Sequence, residues 1–356
     1  MRADRHHLVA ADCRADSVTG SSALPTGVGT GVGSMPGTDA RAAAEVVNGE
    51  LDLTHLVELP GRGIGSDLIG RMAAILVDLP MDTATWGYRL AQRHSRLARR
   101  ASDLLAEDLD VVEELWETAG FVGTGRPFKV QVAGPFTTSA SVELANGQRV
   151  LKDHGAVRDI VESTAEGVRA HVAEVQRRLG ARVVVQLDEP MIGQVIDGTV
   201  KPLTRFDPIR AIPVVEVARA LTELIDHVGA PVILHDCGRP RWELIEHLPG
   251  VGYSIDLTKP SPADLDGIGM LVDRGGVLLA GRVPSTAPDR PLAAEHVATE
   301  LAALTDRIGL SRKVLSDNVI VTPTCGLAGA STSWAKTALA VTAKAGQLLG
   351  SDPSAL

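Results

Sequence analysis

His235-Asp236-Cys237 closes an apolar, strand-like run, and another cysteine, Cys325, stands far downstream in Thr322-Pro323-Thr324-Cys325-Gly326. Side chains alternate faces along an extended strand, so His235 and Cys237 project to the same side. An imidazole nitrogen beside a thiolate is a donor pair that zinc favours. Cys325 has to arrive from elsewhere in the fold. With it the set reaches three ligands, the number typical of a catalytic zinc site that keeps one position open. Asp256, ending Tyr253-Ser254-Ile255-Asp256, is the expected occupant of that position at rest. Two thiolates and a carboxylate overcompensate a dication. Such a centre is a poor Lewis acid for water but suits a thiol substrate, whose pKa falls while its sulfur stays nucleophilic. The chemistry implied is alkyl transfer to sulfur. A satisfied core histidine and two buried cysteines would explain each residue singly, but not three ligand types at separate strand ends.

The elements that must position these residues can be read from periodicity. Residues 1–25 mix charge, Ser and Gly without a repeat, which predicts a disordered or overlong tail, so a single domain is expected over 26–350. Eight short apolar or Gly-rich runs read as strands: 27–34, 53–59, 128–134, 182–188, 231–237, 252–257, 276–283 and 318–324. Apolar residues recur at spacings of three and four over 155–179, 208–228, 290–308 and 330–348, which predicts helices. Strands alternating with helices predict an α/β chain folded as a single (β/α)8 TIM barrel. The 60–127 stretch exceeds one crossover, so an extra helical insertion between the second and third strands is expected, with helices over 82–102 and 103–119. A doubly wound sheet is the alternative fold.

Nearly every predicted strand ends in a residue able to do chemistry: Ser34, Glu58, Gly134-Pro135, Asp188-Glu189-Pro190, His235 with Cys237, Asp256, Arg282 and Cys325. In a barrel these ends share one mouth. The chain has 356 residues, 44% of them hydrophobic, which is ample for a core of this kind. A net charge of −9 without a basic stripe argues against nucleic acid or an anionic membrane as partner and favours a small molecule. No apolar run nears the roughly 18 residues of a membrane span, and the start lacks a signal-peptide core. Three scattered cysteines make no disulfide framework, so a cytoplasmic location is expected, with Cys13 incidental.

Taken together, these motifs resemble the C-terminal catalytic half of cobalamin-independent methionine synthase, within the wider set related to uroporphyrinogen decarboxylase. The resemblance spans about residues 24–348 in family order. It implies a zinc ion held by His235, Cys237, Cys325 and the acidic residue of the Asp256 segment, where the family has Glu. It also implies a homocysteine site. Leu24-Pro25-Thr26 and Val32-Gly33-Ser34-Met35-Pro36 look like the family's early segment, in which backbone groups at Val32 and the Ser34 hydroxyl hold the carboxylate. Glu58 matches the position that binds the ammonium. Asp188, in Val185-Gln186-Leu187-Asp188-Glu189-Pro190, matches a strand whose Asp faces the substrate.

Three departures bear on the methyl donor. The additional N-terminal barrel of the full enzymes, which helps recognise folate, is expected to be absent. The family's catalytic His has no counterpart in Leu279-Ala280-Gly281-Arg282-Val283-Pro284-Ser285, and no Trp follows Gly134-Pro135. Methyltetrahydrofolate needs its leaving nitrogen protonated, so losing a positioned acid costs on the order of a hundredfold or more. A methylated corrinoid protein needs no such proton and is the alternative donor. Arg282 reads either as an anion clamp or as a rim residue in an ion pair. The expected activity is zinc-dependent methyl transfer to homocysteine, giving methionine. Competing expectations are another thiol acceptor, a zinc- and amino-acid-binding barrel without turnover, and a decarboxylase of the uroporphyrinogen type that would leave the ligands unexplained.

Overall fold

A computed structural model describes residues 24–85, 87–93, 95–202 and 208–356. The expected tail, apart from Leu24 and Pro25, lies outside the described residues, as does Cys13. Eight strands form one all-parallel, curled sheet: β1 (Val28–Gly29), β2 (Thr54–His55), β3 (Pro127–Ala133), β4 (Arg182–Asp188), β5 (Val232–Asp236), β6 (Gly252–Asp256), β7 (Leu278–Val283) and β8 (Val319–Pro323). Their order is β1-β8-β7-β6-β5-β4-β3-β2, so from β2 round to β8 each strand pairs with its successor. The two edges meet just beyond β1 and β2. There Ser34 pairs in parallel with Glu58, Met35 N–H donates to the Glu58 carbonyl at 2.8 Å, and Glu58 N–H donates to Gly33 at 3.2 Å. All eight predicted strands are present, six of them shorter than expected, with β1 and β2 reduced to two residues each.

Period two along these strands separates two environments. Leu24, Val184, Ile233, Val277, Leu279 and Ile320 form a buried cluster of their own, distinct from the larger core that the sheet shares with its helices. Advancing two residues at a time from that floor leads from Val184 to Gln186 and Asp188, and from Ile233 to His235 and Cys237. The floor is dry, and polarity increases toward the C-terminal strand ends. Leu24, two residues before the expected boundary at Thr26, belongs to the floor.

Side-chain caps mark the starts of several helices. Asp153 accepts from Gly155 N–H and Ala156 N–H ahead of His154–Leu179, and Ser261 forms a capping box with Asp264 ahead of Pro262–Asp273. Helices Val214–Val228, Ala294–Ile308 and Thr332–Ser351 match the periodic segments, the first starting at 214 rather than 208. The stretch after β2 differs from expectation. Instead of a helix over 82–102, Met81–Ala84 and Gly87–Leu90 form an antiparallel hairpin, and one helix, Arg96–Thr118, then runs unbroken. Ser95 explains the start, since its hydroxyl accepts from Ala98 N–H. No breaker interrupts the stripe of Leu97, Ala101, Leu109, Val112 and Trp116, so nothing ends a helix at 102.

Candidate active site

His235 is the penultimate residue of β5 and Cys237 stands just past its end, while Cys325 lies two residues past the end of β8. The structure brings them together: one ligand atom from each lies within 4.8 Å of the others. Tetrahedral zinc, with bonds of about 2.0–2.3 Å, sets its ligand atoms about 3.3–3.8 Å apart, so the set fits with little adjustment. The His235 ring is oriented from β6, where Ser254 Oγ lies 2.9 Å from Nδ1. A proton on Nδ1 donated to that hydroxyl would leave Nε2 free to bind a metal. The two sulfurs polarise each other. Hydrogen bonds from Cys237 and from the His235 ring hold the Cys325 thiol down to about 4, whereas pairing with Cys325 and burial push the Cys237 thiol up. Replacing Ser254 by alanine is expected to weaken zinc binding by about 10- to 100-fold without unfolding the protein, as read by chelator competition.

Asp256 is not among the clustered ligands. It ends β6, but its Oδ1 accepts from Thr258 N–H at 2.8 Å and from Thr258 Oγ1 at 2.7 Å, a local turn that a short acidic side chain makes readily. Arg282 forms the rim ion pair. Its guanidinium meets Glu300 and donates to the Leu257 and Thr258 carbonyls at 2.8 and 3.0 Å, which props the same turn from outside.

The other predicted residues gather beside the ligands. Asp188 is the register partner of His235 on the adjacent strand and is buried. Burial pushes its carboxyl up to about 7, while His235 and Lys129 pull it down. Glu58 is raised by burial as well, opposed by Arg71 and Lys129, and Arg71 Nε stands 3.5 Å from it. Ser34 is tied to the loop carrying Cys325: Leu327 N–H donates to its carbonyl at 2.8 Å, and a Cβ on Gly326 would fall 2.1 Å from its hydroxyl. The Val32 carbonyl accepts from Lys129 Nζ at 2.9 Å and from Gln186 Nε2 at 2.8 Å. Glu189 faces away from Asp188, as alternation requires. It accepts from Phe136 N–H, Thr137 N–H and Thr137 Oγ1, capping helix Pro135–Ser141.

Sequence reasoning missed Lys129, Gln131 and Gln186, all buried on the inner face of β3 and β4, and Ser254 behind the histidine. A signal was present. Polar residues at alternate positions of an otherwise apolar strand, as in Phe128-Lys129-Val130-Gln131-Val132, are out of place in a core unless something needs them.

A curled parallel sheet with a nitrogen–sulfur triad and buried carboxylates at its C-terminal strand ends is the arrangement of a barrel-like α/β enzyme, and the triad is a possible metal site. The chain belongs to the family of the cobalamin-independent synthase catalytic domain, which matches residues 24–347, and is therefore a methyltransferase related to methionine synthases. Its fold is shared with a B12-independent methionine synthase from Shewanella sp. W3-18-1, solved in complex with selenomethionine. The TM-score is 0.58 at 14% identity, covering 93% of this chain and 100% of that one. A morphinone reductase mutant in complex with tetrahydroNAD gives 0.39 at 14% identity, over 84% of this chain and 81% of that one. A GH138 enzyme targeting pectin rhamnogalacturonan II gives 0.37 at 10% identity, over 71% and 30%. No curated protein matches the chain in sequence. The corrinoid donor gains no support, since the family is cobalamin-independent. Among the described residues, no helix is long and apolar enough to cross a membrane.

Proposed function

We propose that this chain is a zinc-dependent homocysteine S-methyltransferase that forms methionine. It would work as a cytoplasmic, single (β/α)8 barrel over 26–350, with the 60–127 stretch inserted between the second and third strands. The observation that carries the reading is the meeting of His235, Cys237 and Cys325 within 4.8 Å at strand ends, in a member of this family. Zinc would supply ionisation of the substrate thiol at neutral pH while leaving its sulfur nucleophilic. His235, Cys237 and Cys325 would hold the ion, with Asp256 turning from Thr258 to fill the resting position. Glu58 and Asp188 would bind the ammonium. The Ser34 hydroxyl and the backbone around Val32 would take the carboxylate, so that the thiol points to the ligands. Selenomethionine in the Shewanella enzyme supports a methionine-shaped pocket. Methyltetrahydrofolate is the proposed donor.

Metal analysis of the purified protein tests this. About one zinc per chain is expected, lost in Cys237→Ala, with homocysteine binding releasing about one proton in wild type only. A protein that holds no zinc after reconstitution, or that binds homocysteine equally well without it, would end the proposal. A second reading, zinc and amino-acid binding without turnover, is favoured by Arg282. This residue stands near the family's acid position but is committed to Glu300 and two carbonyls. Tight homocysteine binding with no methyl transfer from methyltetrahydrofolate would select that reading.

A further inference from the structure

Lys129 sits inside the curl of the sheet with no exposed surface. Its ammonium donates to the Val32 carbonyl at 2.9 Å and to Gln186 Oε1 at 2.8 Å, with Gln131 Oε1 at 3.4 Å. Gln186 in turn donates from Nε2 to the same Val32 carbonyl at 2.8 Å and to Asp188 Oδ1 at 2.7 Å. Gln131 Nε2 donates to the Leu56 carbonyl, two residues before Glu58. From one buried nitrogen, therefore, bonds run to Val32 directly, to Asp188 through Gln186, and toward Glu58 through Gln131. Three of the four residues proposed to bind the amino acid converge on it.

Nothing in the architecture asks for a lysine here. The interior layers of such a barrel are normally apolar, and burying an ammonium is costly unless it is paired and hydrogen-bonded. The compensation is local. Asp188 and Glu58 attract the charge, opposing the burial that lowers Lys129 to about 8. The remaining ionisable groups nearby are His55, which burial and Lys129 hold down to about 3, Arg71 beside Glu58, and His235 beside Asp188. Two carboxylates facing one substrate ammonium in a dry lumen repel each other, and a fixed cation between them offsets that repulsion before substrate arrives.

We infer that Lys129 is a positioning residue of the amino-acid site, fixing the Val32 carbonyl and Gln186 and supplying the charge that lets Glu58 and Asp188 face one ammonium together. The inference rests on the amino-acid-binding reading above. It adds that affinity for the amino-acid end of the substrate is set one layer below the residues that touch it. Lys129 touches neither the metal ligands nor the reacting sulfur, so its effect belongs to substrate binding rather than to chemistry.

The test uses the zinc-loaded full chain and methionine as the calorimetric probe, with steady-state kinetics in parallel. Lys129→Met is expected to keep its zinc and to weaken methionine binding on the order of a hundredfold. KM for homocysteine should rise to match, with kcat changed by no more than a few fold. Gln186→Met keeps the charge but breaks the bridge, and is expected to weaken binding about tenfold in the same direction. The second variant decides the matter if Lys129→Met does not fold. A folded Lys129→Met with wild-type affinity would overturn the inference, as would zinc, kcat and affinity falling together, the signature of a merely structural role. Wild type that binds neither methionine nor homocysteine would instead remove the underlying reading. Wild type that binds both, with both variants indifferent, would remove only the inference.

Discussion

Cys325→Ala is expected to lose its zinc and to slow methyl transfer to homocysteine by about a thousandfold or more while remaining folded. His235 and Cys237 belong to one strand and its extension, so together they offer only two donors on one side of the ion. Cys325 is the donor that arrives from another strand and closes the site. It is also the thiol that its neighbours hold down to about 4, so its loss removes the sulfur most ready to ionise. Losing metal activation of the nucleophile forfeits several kcal/mol, and each ~1.4 kcal/mol is tenfold in rate. Stability should change little, because Cys325 lies half-buried in the loop after β8. Metal content, circular dichroism and single-turnover transfer measured on one preparation separate these effects. A folded variant that transfers methyl within tenfold of wild type would show that Cys325 is no ligand.

Much of this centre was legible because strand ends carry chemistry and period two decides which residues share a face. The pairing of His235 with Cys237 follows from period two, and Cys325 is legible only as another residue beside a strand end. What escaped reading depends on local competition or on partners remote in sequence. Asp256 follows the strand pattern, yet Thr258 two residues on offers its carboxylate two hydrogen bonds, and a local turn forms at little cost in chain entropy. Met81–Ala84 and Gly87–Leu90 pair as a hairpin where periodicity predicts helix, because their apolar residues are few and ambiguous in period. Arg282 could not be assigned before Glu300 was known to lie beside it. Lys129 was visible as an oddity, but its meaning needs Val32 and Gln186, which are 97 and 57 residues away.

Gly167→Ala separates local propensity from packing and should go the way packing dictates. Gly167 lies inside helix His154–Leu179, where alanine is better than glycine by about 1 kcal/mol, so propensity alone predicts a more stable protein. A Cβ at Gly167, however, would stand 1.8 Å from the Ile75 carbonyl oxygen and 2.8 Å from its carbon. These are backbone atoms of the short helix Met72–Ile75, and no side-chain rotation relieves them. The segment is also held nearby, since Ser163 Oγ donates to the Val77 carbonyl at 2.7 Å. The two helices must separate, at an overpacking cost of about 3 kcal/mol, which exceeds the gain in propensity. A fall in Tm of roughly 5 °C is expected. The consequence reaches the site, because Arg71 immediately precedes the displaced turn and its guanidinium stands between Glu58, 3.5 Å away, and the fully buried Asp108 at 3.4 Å. Moving Arg71 alters the carboxylate assigned to the substrate ammonium while leaving His235, Cys237 and Cys325 untouched. Zinc content should therefore stay near one per chain while methionine affinity falls by about tenfold. A rise in Tm would mean that helices 154–179 and 72–75 are not packed this closely, and that Glu58 is held by something other than Arg71.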